Sequence, residues 1–183
     1  MAELTTKTYT LSKILAGFTS LSLLLILLGI NRGFDFSDEG LYALLADPDQ
    51  QNIGGVINYD LFFKLIYQIT GFEFGIIGLR IIRLMFYITG AYALAIFWKN
   101  LFQNQSLSLS IFLLSLLSLF AGYGFLPPTL SYNSIYVVLV CFWLAIVSKK
   151  LIHPLDWLLL GLIFTTLIYA KVTVCLVLSV PTI

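Results

Sequence analysis

The sequence predicts an all-α polytopic membrane protein with about five transmembrane helices, a partial sixth, and short interfacial helices in its first external loop. Three observations carry this reading. Of 183 residues, 60% are hydrophobic and only 10% charged, with a mean hydropathy of +0.98; soluble domains are about half apolar and about a quarter charged. The apolar residues fall in runs approaching the ~20 residues a bilayer requires. The charged residues gather in the connections between those runs.

The first span is Ile14–Ile30, preceded by a short polar segment with Lys7 and Lys13. It is too long for a signal-peptide core and has no Ala-x-Ala cleavage site, so it reads as a retained helix. Residues 31–75 form a long acidic loop. Within it Ser37 reads as an N-cap, with Asp38 and Glu39 in a first helical turn where the dipole favours them, and Pro48 as the stop. From Val56 to Thr70, Leu61, Phe62, Leu65, Ile66 and Ile69 alternate with Asp60, Lys64 and Gln68, the pattern of a helix lying along the interface. The remaining spans are Ile76–Trp98, Leu107–Phe125, Ile135–Val147 and Leu155–Tyr169. Pro127 and Pro128 punctuate the loop between the third and fourth. Lys149, Lys150, His153 and Pro154 make a tight basic connection to the fifth. Beyond Lys171, twelve apolar residues reach Ile183, too few to cross a core of about 30 Å, which suggests a chain cut within a larger protein.

The basic residues orient the chain. If every span crosses, Lys7, Lys13, Lys99, Lys149 and Lys150 share one side, so the N-terminus is cytoplasmic and the acidic loop external. A plasma (inner) membrane location follows. Asn104 and Ser106 fit a glycosylation pattern on the cytoplasmic side, a chance match. A net charge of +1 without a basic stripe excludes nucleic acid as a partner. Cys141 and Cys175 stand far apart in apolar runs and read as buried small hydrophobes. His153 is the only histidine, which argues against a histidine-based metal site.

Five of the nine acidic residues lie between Asn31 and Asp49. Acids beside a hydrocarbon surface need a reason. Helix capping supplies one for Asp38 and Glu39; a reaction at the membrane face supplies another. Tyr42 and Tyr132 suit packing at the interface.

In order along the chain, four elements resemble the N-terminal part of GT-C superfamily glycosyltransferases, closest to the protein O-mannosyltransferase and aminoarabinose transferase branch. They are Asp38-Glu39 with Tyr42 after the first span, the Gly71–Arg80 entry to the second span, Leu126–Asn133 before the fourth, and Trp157 with Gly161 followed by Lys171. One departure is Asn133, where many relatives carry Asp. The resemblance implies a longer protein of many more spans, of which residues 1–183 are the N-terminal part. It also implies that a sugar moves from a polyprenyl-phosphate carrier to an acceptor on the external face.

That chemistry gives the residues roles. Asp38 is the general base that removes the acceptor's proton in one inverting displacement. Glu39 either orients Asp38 or holds a divalent cation, since hard oxygen ligands suit Mg²⁺ or Mn²⁺. Lys171, Arg80 and Arg83 are the candidates for the leaving phosphate, all at the external ends of spans. Snorkelling to lipid headgroups is the alternative for these cations. A reading of a different class is a non-enzymatic membrane protein, a transporter fragment or scaffold subunit, whose acidic loop binds a partner. Transporters place ionisable residues near the bilayer midplane, whereas here they gather at one surface.

Overall fold

The structure is a computed structural model that describes residues 2–33, 38–50, 60–103, 108–149 and 153–182. Every regular element among them is helical: α1 (Ala2–Gly29), α2 (Asp38–Ala46), α3 (Asp60–Thr70), α4 (Ile76–Leu101), α5 (Leu109–Ala121), α6 (Tyr132–Val147) and α7 (Pro154–Ser179), with 3₁₀ turns at Tyr123–Phe125 and Val180–Thr182. The all-α expectation holds. The contacts place the long helices in a row, α1–α5–α4–α6–α7, with successive members touching.

Two helices, Tyr9–Gly29 within α1 and Ile76–Leu101, are long and apolar enough to cross a membrane. The other apolar helices differ from the expected spans at their ends, the third being shorter and the fourth longer. The third starts at Leu109, where Ser108 Oγ accepts from the Ile111 N–H at 3.3 Å, and yields to a 3₁₀ turn after Ala121. Its thirteen residues rise about 20 Å. The fourth starts earlier than the apolar run does, at Tyr132, because Ser131 and Ser134 form a reciprocal capping box. His153 caps α7, its Nδ1 accepting from the Leu155 N–H at 3.3 Å while the Asp156 carboxylate accepts from the His153 N–H at 2.9 Å. Lys149 closes this end with a 2.5 Å ion pair to Asp156.

The half-inserted sixth segment becomes a different feature. Lys171 has non-helical angles (φ −162°, ψ 89°) inside α7. Cys175 Sγ lies 3.7 Å from the Phe164 carbonyl, eleven residues earlier. A straight helix would separate them by about 16 Å, so the second half of α7 doubles back on the first. Cys175 and Leu178 thereby join Leu160, Ile163 and Leu167 in one cluster with Trp143 and Ile146 of α6. Both cysteines are free and buried.

Helices α4 and α6 pack tightly at Gly90, where an added Cβ would meet Val138 Cγ2 at 3.2 Å. Gly90→Leu overpacks this contact and should destabilise the fold by about 1–3 kcal/mol, read as a lowered unfolding temperature; an unchanged temperature would show that the helices separate freely.

The amphipathic helix α3 is present. Its anchor is Phe63, 1% exposed, packed with Ala46, Leu79 and Leu130 and edge-on to Phe74 at 5.4 Å. Leu65 and Ile69 instead point outward. Gly71 ends α3 at φ +68°, a left-handed conformation that glycine adopts without strain, with its N–H on the Tyr67 carbonyl at 2.7 Å.

Candidate functional site

The C-terminal end of α1, helix α2 and the N-terminus of α4 meet at one end of these helices, where the residues before α6 bond to α4 and the N-terminus of α6 meets the break in α7. Arg80 organises this end. It is 3% exposed, and its guanidinium makes a bidentate pair with Glu39: Nε to Oε1 at 3.0 Å and Nη2 to Oε2 at 2.7 Å. Nη1 also donates to the carbonyls of Ile30 (2.8 Å) and Arg32 (3.1 Å), and Nη2 to that of Gly33 (2.6 Å). These bonds engage all five guanidinium donors. The carbonyls belong to the frayed end of α1, which a cation satisfies well. Gly33 presents its carbonyl from a left-handed conformation, φ +68°. Arg80 thus ties the end of α1 to the start of α2.

Arg83, one turn further, is fully buried. It donates through Nη1 to the carbonyls of Leu126 (3.2 Å) and Pro127, and through Nη2 to those of Tyr123 (2.7 Å) and, weakly, the Tyr87 hydroxyl (3.5 Å). The Tyr123 ring lies under its guanidinium at 3.9 Å and the Tyr87 ring at 5.0 Å. Carbonyl dipoles and ring faces stabilise this cation in place of a carboxylate. Arg83 therefore clamps the Pro127–Pro128 loop, whose exit is fixed by the Leu130 N–H on the Leu79 carbonyl at 3.2 Å.

The two arginines expected at the leaving phosphate are thus engaged within the chain. Arg80 has no donor left for a lipid phosphate, and Arg83 is out of reach of one. Glu39 is equally committed. Both of its carboxylate oxygens accept from the Arg80 guanidinium. Among the described residues no group of three His, Cys, Asp or Glu side chains converges. Ser37, the expected cap of α2, lies outside the described residues.

Asp38 and Lys171 differ from these three. Asp38 is exposed at the first position of α2, while Glu39 beside it points inward. One turn on, Tyr42 is 4% exposed, and its ring lies 6.1 Å from that of Tyr132. Burial first, then the neighbouring Tyr132 and Asp38, push the Tyr42 hydroxyl up to about 12. Tyr42 is therefore neutral at physiological pH and serves as a hydrogen-bonding group, not a base. Lys171 Nζ lies 5.9 Å from the Tyr132 ring and 4.6 Å from the Tyr136 ring. It also donates to Asn133 Oδ1 at 3.4 Å. The break in α7 places this ammonium against the N-terminus of α6. The Tyr42–Tyr132 pair thus has an exposed carboxylate, Asp38, near Tyr42 and a cation without an ion-pair partner among the described residues, Lys171, near Tyr132.

Sequence reasoning missed two parts of this site. The Arg83 clamp had a signal in the pair of prolines, which leaves carbonyls without local partners. The Tyr123 and Tyr87 rings had none, being reached only through the fold. No family model, curated protein or solved structure matches the chain.

Proposed function

We propose that the chain is part of a membrane glycosyltransferase of GT-C type, moving a sugar from a polyprenyl-phosphate carrier to an acceptor at the external membrane face. One observation supports this above the rest: Asp38 lies near Tyr42, the Tyr42 ring neighbours that of Tyr132 at 6.1 Å, and Lys171 Nζ lies 5.9 Å from the Tyr132 ring. Inverting transfer needs a base for the acceptor's hydroxyl and a cation for the departing phosphate. Asp38 takes the proton as the acceptor oxygen bonds the anomeric carbon. The bond from that carbon to the phosphate oxygen breaks, and Lys171 stabilises the charge left there. Arg80, Glu39 and Arg83 form the frame that holds these two groups. In this reading α1, α4, α5, α6 and α7 lie across the inner membrane, with the N-terminus cytoplasmic and α2 and α3 at the external interface.

Lys171→Met keeps the apolar stem and removes the cation. Donor KM should rise, or turnover fall, by at least tenfold in membranes of the full-length protein, while the protein level stays within twofold. Unchanged donor kinetics would return Lys171 to a packing role against Tyr136.

The orientation has its own test. A cysteine at Gln51 should react with an impermeant thiol reagent from outside the cell and one at Gln105 should not; both positions lie outside the described residues. Reversed labelling would move Asp38 to the wrong face of the membrane.

A further inference from the structure

Among the described residues, Lys171 is held by neutral groups. Asn133 Oδ1 accepts from its ammonium at 3.4 Å, and the Tyr136 and Tyr132 rings lie 4.6 and 5.9 Å from Nζ. Two other cations packed among these helices are treated differently. Arg80 has the Glu39 carboxylate at 2.7 Å, and Lys149, at the start of α7, has that of Asp156 at 2.5 Å. The first turn of α7 thus gives its lysine a carboxylate, and the first turn of α6 gives Lys171 an amide.

Stability alone favours an acid at position 133. A carboxylate there would pair with Lys171 and complement the positive end of the α6 dipole. Asn133 does neither. The cap of α6 does not require it, since Ser131 and Ser134 form the capping box. An ammonium beside a helix N-terminus, without a counterion, is a favourable place for an anion.

We propose that Asn133 is a positioning residue, which fixes the Lys171 ammonium while leaving its charge uncompensated for the phosphate of the polyprenyl carrier. This rests on the reading of Lys171 as the cation facing the departing phosphate. The neutrality of the amide is the specific feature. A carboxylate would hold the ammonium as firmly, but the phosphate would then have to compete with it. Alanine would leave the charge in place and release the flexible four-carbon stem, which the amide and the two rings restrain.

The test measures binding of radiolabelled polyprenyl phosphate to the full-length protein in nanodiscs, together with thermal unfolding. Asn133→Asp should weaken binding about tenfold or more while leaving the unfolding temperature unchanged or higher, so that affinity and stability move apart. Asn133→Ala should weaken binding by about threefold to tenfold. In a Lys171→Met background the same alanine should change affinity by less than about twofold, because Asn133 acts only through the ammonium. Should Asn133→Asp fail to fold, the alanine cycle still decides. Equal affinity of the wild type and a folded Asn133→Asp would overturn the inference, as would an alanine effect of the same size with and without Lys171. These results leave the carrier phosphate at Lys171 intact as a reading. No binding by the wild type would overturn both.

Discussion

Arg80→Met should cost the protein about 3–5 kcal/mol, the penalty for removing one partner of a buried ion pair. The loss has two parts. Glu39, 1% exposed, keeps its charge without a counterion, and the carbonyls of Ile30, Arg32 and Gly33 lose their shared donor. Arg80→Lys should recover only part of the loss, since an ammonium cannot reproduce the bidentate fork. Glu39→Gln keeps one acceptor for Arg80 but loses the charge, so it should be destabilising too, though less than Arg80→Met. Thermal unfolding in detergent or limited proteolysis at the acidic loop would read the order. Equal stability of Arg80→Met and the wild type would mean that the guanidinium is not the strut between α1 and α2.

Asp38→Asn should behave in the opposite manner, sparing the fold and removing the activity. Asn keeps the size and caps or begins a helix about as well as Asp, losing only a modest dipole contribution. It cannot accept a proton. Transfer should fall by roughly 10²–10⁴-fold, as expected for a general base, with insertion and protein level within twofold of wild type. The contrast between neighbours is the informative part. Glu39 faces inward on Arg80, while Asp38 is exposed; so the Glu39 variant should lose stability and activity together, and the Asp38 variant activity alone. Wild-type turnover by Asp38→Asn would leave the carboxylate as a helix-end charge.

Much of the helix content was legible because it depends on local patterning. The apolar run from Ile76 predicted α4 to within three residues of its end, and the Asp38–Glu39 pair followed by Leu41, Leu44 and Leu45 predicted α2. Helix α1 begins well before its apolar run because nothing between Ala2 and Lys13 breaks a helix. The misreadings share a cause. Arg80 and Glu39 are 41 positions apart, and no periodicity announces that they meet. From the sequence each is a charge at a membrane edge; only the packing of α2 on α4 decides that they neutralise one another. The burial of Phe63 against Ala46, Leu79 and Leu130 likewise depends on contacts distant in sequence. The reversal at Lys171 is harder still, since no glycine or proline marks it. A lysine inside an apolar run reads as the end of a span, and its partners Tyr132, Asn133 and Tyr136 come from another helix.

The proposed transfer of a sugar from a lipid phosphate at the external face has one direct test. The direct measurement supplies membranes containing the full-length protein with a radiolabelled polyprenyl-phosphate sugar, and in parallel with the same sugar on a nucleotide diphosphate. Label should pass from the polyprenyl donor into an acceptor fraction, none should pass from the nucleotide donor, and the first signal should be lost in Asp38→Asn. Transfer from the nucleotide sugar, or polyprenyl-dependent transfer that survives in Asp38→Asn, would contradict it.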